Sequence, residues 1–128
     1  MHPPLAALAE IYKTNTGLLM HALSDVTEED IIRRPTDTTN SMQFVAGHLT
    51  SSRFKICGMA GLNVECPWGE IFARGARLRD VSEYPSVAEI KEVWTSIADK
   101  MIKRFSGMTE QELKRKRRLI SRWMTIQF

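Results

Sequence analysis

Residues 40–61 read NSMQFVAGHLTSSRFKICGMAG, and the way this stretch is oriented decides the fold. A helix capped by Asn40 or Ser41 would carry Val45, His48, Leu49, Ser52 and Ile56 on one face, because those positions recur at steps of three and four. Gly58 and Gly61 mark its end. That face is expected to point inward, which makes His48 a buried imidazole. A buried imidazole needs a metal, a hydrogen-bond partner or close packing, and the residues of the stretch leave all three open.

Working outward towards the N-terminus, Leu5, Leu8, Tyr12, Leu19 and Ala22 share a helical face and predict a first helix over about Pro4 to Leu23. Thr27 can cap a short helix that must stop before Pro35, with Asp30 close to the reciprocal position of a capping box. Acids gather in the first turn of a helix because its dipole favours them there, so Asp25, Glu28, Glu29 and Asp30 are taken as capping residues rather than a carboxylate site. Towards the C-terminus, residues Leu62 to Tyr84 show no sustained period and form the longest irregular stretch. Within it Trp68, Phe72 and Arg74 are the residues suited to lining a cleft. Ser86 and Glu89, in capping-box spacing, then open the clearest helix, whose stripe is Ile90, Trp94, Ile97, Met101 and Phe105.

LSDVTEEDI at Leu23–Ile31 is echoed by FSGMTEQEL at Phe105–Leu113, 82 residues further on, and each follows a long amphipathic helix. The pattern suggests two helical hairpins, with a counterpart of the His48 helix beginning near residue 123.

A chain of 128 residues that is 43% hydrophobic and 26% charged has the composition of one soluble globular domain, here taken as 1–128. The start MHPPLAALAEIYK lacks the basic and apolar regions of a secretory leader. No stretch has the roughly 18 uncharged apolar residues of a membrane span, so a cytoplasmic protein is expected. Cys57 and Cys66 have no zinc-like spacing and are read as reduced thiols, Cys57 as a small buried hydrophobe. The formal charge of +3 is a property of the tail: Lys114, Arg115, Lys116, Arg117, Arg118 and Arg122 carry six positive charges, and without them the rest is at −3. No helix-turn-helix, zinc knuckle or RNP pattern accompanies these charges, so nucleic acid is not an expected partner.

The polar–aromatic lead into AGHL at Ala46–Leu49 is one of five ordered motifs. It is followed by GMAGL at Gly58–Leu62, WGEIFARG at Trp68–Gly75, EYPSVAEIKEVW at Glu83–Trp94 and MTEQEL at Met108–Leu113. Together they resemble the DinB superfamily, the DinB/YfiT-like metalloenzymes, over residues 1–113. The resemblance implies an all-α, up-down helical bundle, with the fourth long helix truncated or replaced in this sequence. It implies a divalent metal (nickel, zinc or iron) held by a histidine of the second long helix and an HxxxH pair on the last. His48 matches the first of these ligands. Two histidines at i and i+4 plus one from a facing helix leave open positions on the ion, which suits catalysis. In such enzymes the ion can hold a small thiol as a thiolate nucleophile.

After Leu113 the sequence reads KRKRRLISRWMTIQF and holds no HxxxH, so two of the three implied ligands are not found in it and no catalytic residue is assigned. Residues 114–128 are read as a basic and apolar tail or a stub of the last helix. His2 and His21 match no family motif and are taken as surface or packing residues. Two functions follow: a relative of metal-dependent enzymes acting on small molecules with an incomplete site, or a non-catalytic dimeric interaction module with a basic tail. An uncovered apolar face favours association, so a homodimer is expected in either case.

Overall fold

The structure, a computed structural model, describes residues 3–73 and 75–114. Among them the chain is helical and contains no strand: α1 (Pro3–Ser24), α2 (Glu28–Ile31), α3 (Met42–Met59), a 3-10 turn (Val81–Glu83) and α4 (Val87–Gly107). A further helical turn opens at Glu110 and continues to Lys114.

The caps are local chemistry. Ser41 accepts from the Phe44 amide at 3.1 Å and Ser86 from the Glu89 amide at 3.2 Å, so each satisfies an N–H that the first helical turn leaves free. The reciprocal half of the box is not formed at Ser86; a complete box occurs at Asp80 and Glu83, ahead of the 3-10 turn. α3 ends in a Schellman motif, with the Leu62 amide donating to the Cys57 carbonyl, the Gly61 amide to the Gly58 carbonyl, and Gly61 at φ 93°. The two echoed segments share one geometry. Thr27 accepts from the Asp30 amide and Thr109 from the Glu112 amide, and in each turn the fourth residue on, Ile31 or Leu113, donates its amide to the threonine carbonyl at 3.0 Å.

Two apolar clusters fix the directions of the helices. At one end Leu5 and Ala9 of early α1 meet Cys57 of late α3 and Met101 and Phe105 of late α4. At the other, Leu23 of late α1 meets Ala46 of early α3 and Val87 and Ile90 of early α4. α1 therefore runs against both α3 and α4, and the connection from residue 60 to residue 86 returns the chain along the bundle so that α4 starts beside the start of α3. α4 packs on both α1 and α3. The predicted α4 stripe is buried throughout, Ile90, Trp94, Ile97, Met101 and Phe105 alike. The connection lies over the second cluster, where Phe72 meets Phe44 at 5.5 Å, Trp68 at 5.6 Å and Tyr84 at 5.7 Å between ring centroids.

Candidate functional site

The face of α3 that carries His48 is open. Val45, Leu49 and Ile56 are between 37% and 46% exposed and His48 is exposed with them, which overturns the expectation that this face points inward. The buried positions of α3 are Gln43, Ala46, Gly47, Thr50, Ser51, Arg53 and Cys57. Polar side chains can occupy that face because most have partners: Gln43 donates to the Pro85 carbonyl at 3.0 Å, Thr50 to the Ala46 carbonyl at 2.8 Å, and Arg53 to the Thr16 hydroxyl at 2.7 Å. Gly47, beside His48 in AGHL, is required by packing: a Cβ there would overlap the Phe72 ring.

The His48 imidazole lies parallel to the Phe44 ring, 6.1 Å between centroids and 6° between planes. Its backbone carbonyl accepts from the Ser52 hydroxyl at 2.9 Å. Phe44 itself is fixed edge-on by Tyr84 at 5.7 Å, so a chain of rings from the connection supports the imidazole. Among the described residues no group of three His, Cys, Asp or Glu comes together as a ligand set. Residues 115–128 contain none of these four types. The donors in hand are a single imidazole and do not by themselves fit a metal ion, so no reaction step is derived through one.

The remaining candidates separate clearly. His21 is exposed near the end of α1, and its carbonyl accepts from Ser24. His2 and Arg74 lie outside the described residues. Trp68 and Phe72 are core residues, 9% and 2% exposed, and belong to the second apolar cluster, so the aromatic content of the connection covers that end of the bundle. Cys57 is fully buried, with Sγ 3.6 Å from the Met101 sulfur, and burial pushes its thiol up to about 11. Such a thiol is a poor nucleophile.

Sequence periodicity missed a second feature, a long cleft between α1 and α3. Its upper part, about 470 Å³, is lined by Asn15, Leu18, Leu49, Ser52, Arg53 and Trp94 among others. Its lower part, about 270 Å³, includes Leu8, Ile11, Phe105 and Leu113, and the two parts share Asn15 and Ile56. In the upper part the Arg53 guanidinium lies over the Tyr12 and Trp94 rings, 3.9 Å and 3.4 Å from their centroids. The signal in the sequence was an arginine on the polar side of α3, four residues before Cys57.

α1 and α3, each packed on α4, leave an open cleft between them, and α3 carries a ring-supported histidine: the described residues form a helical bundle. A model of the DinB superfamily matches residues 11–128, and the chain belongs to that superfamily. The matched region runs through the basic stretch after Leu113. No curated protein and no solved structure matches the chain.

Proposed function

We propose that this chain is a DinB-type bundle related to divalent-metal-dependent enzymes acting on small molecules, with His48 as the one ligand it contributes. The remaining donors would come from outside the chain, those of a partner subunit included. The observation that supports this reading is the state of His48. It is exposed, held by Phe44, and without a hydrogen-bond partner for its ring nitrogens among the described residues. Neutral imidazole is the commonest protein ligand for nickel, zinc and iron, and an oriented ring loses less freedom on binding than a free one.

Metal analysis of protein purified without a histidine tag tests the proposal. Nickel, zinc or iron is expected to co-purify or to bind on titration, and to be lost in His48→Ala. No binding of any of the three, or metal retained by the folded variant, overturns it.

A second reading, the non-catalytic dimeric interaction module, is favoured by the apolar face itself. Leu8, Ile11 and Leu18 of α1 and Val45, Leu49 and Ile56 of α3 are all exposed. In this reading the six positive charges at 114–122 meet an anionic surface. Failure to bind either nucleic acid or anionic vesicles at low salt removes that electrostatic part.

A further inference from the structure

Arg53 is only 6% exposed, yet among the described residues no carboxylate forms an ion pair with it. The ionisable groups that act on it are Tyr12 and Cys57, neither of which is an anion near neutral pH. No Asp or Glu follows Glu112 in the sequence, so residues 113–128 bring no acidic side chain to it. Stacking on two rings offsets part of the cost of burying the guanidinium and leaves its charge unneutralised. Stacking also takes up a face of the group and leaves its in-plane N–H donors for bonding. Among the described residues two of the five N–H groups of the guanidinium have acceptors, the Thr16 hydroxyl at 2.7 Å and the Tyr12 carbonyl at 3.5 Å.

The surroundings of Arg53 narrow the chemistry of what could complete it. Asn15 and Ser52 are the other polar side chains lining the upper cleft, and Leu18, Leu49 and Ile56 supply apolar walls. Its volume of about 470 Å³ falls in the range of small-molecule sites. A single stacked guanidinium, with no lysine lining the upper cleft, matches a planar monoanion better than a phosphate dianion.

We propose that the cleft between α1 and α3 binds an organic carboxylate with an apolar body. The carboxylate engages the in-plane N–H groups of Arg53 between Asn15 and Ser52, and the body lies along Leu18, Leu49 and Ile56. This names a substrate class for the small-molecule reading above and rests on it to that extent, although binding itself requires neither His48 nor a metal.

Octanoate is the probe, titrated calorimetrically into the full chain with EDTA present, and octanamide is its uncharged match. Octanoate is expected to bind saturably at one site, and octanamide at least about tenfold more weakly, as loss of a charged hydrogen-bonded contact implies. Arg53→Gln, checked for fold by circular dichroism, is expected to lose octanoate binding by a similar factor. Ser52→Asp, which puts a carboxylate on the wall of the cleft, is expected to abolish it. Absence of saturable octanoate binding, equal affinity for octanamide, or full affinity in either folded variant overturns the proposal. The comparison of the two probes needs no variant, so it holds if Arg53→Gln fails to fold. Because EDTA removes metal throughout, this outcome is separate from the His48→Ala metal result.

Discussion

Burial governs the titration of Cys57. Its thiol rises from 9.0 to about 11, chiefly because the thiolate loses its hydration, with Arg53 and Lys100 pulling weakly the other way. The folded state therefore favours the neutral thiol. The associated stability is fully present below the unfolded value and is lost as the pH climbs through about 11. Between those values the slope approaches, at most, about 1.4 kcal/mol per pH unit. Tyr12, raised from 10.0 to about 12 mainly by burial, adds a loss of the same sign at higher pH. Urea unfolding from pH 8 to 10.5 is expected to show stability falling more steeply in the native protein than in Cys57→Ala. Parallel curves would show that the thiol is hydrated in the folded state. The burial of Cys57 was legible in the sequence from residue type. The paired roles of Gly47 and Phe72 were not, because the two are 25 positions apart and meet only when the connection folds back.

At the scale of elements, α3 and α4 differ in how openly their sequences declare an inner face. α4 has one apolar stripe and buries it. α3 has two candidate faces: an apolar one through Val45, Leu49 and Ile56, and a mixed one through Gln43, Ala46, Thr50, Arg53 and Cys57. Periodicity selects the first, whereas packing buries the second, because Gln43 and Arg53 find distant acceptors on that side and Thr50 is satisfied within its own helix. Ile90→Ala is therefore expected to cost about 2–5 kcal/mol. Leu49→Ala should stay within about 0.5 kcal/mol, as for a surface position. Chemical denaturation of the two variants checks this. A large loss at Leu49 would return the His48 face to the interior.

For the whole molecule, the decisive arrangement is α4 packed on both α1 and α3 while the outer sides of α1 and α3 border a cleft. Large apolar side chains stand open along that cleft, with Ile11 58% and Leu18 61% exposed. Apolar surface of this kind drives association. Sedimentation is expected to show a dimer that Leu18→Glu shifts towards monomer, and a well-folded monomer at high concentration would remove the dimeric reading. The sequence alone determined the helical class, the caps at Thr27 and Ser86, a cap at Asn40 or Ser41, the α4 stripe, the kinship carried by AGHL and its companion motifs, and the lack of HxxxH. These depend on neighbours a few residues apart, where capping and helical period act. Tertiary structure alone decided that His48 faces outward on a ring-supported helix and that Arg53 lies buried with no carboxylate beside it among the described residues. Both depend on which face of α3 meets α1 and α4, and that is set by hydrogen-bond partners far away in the chain.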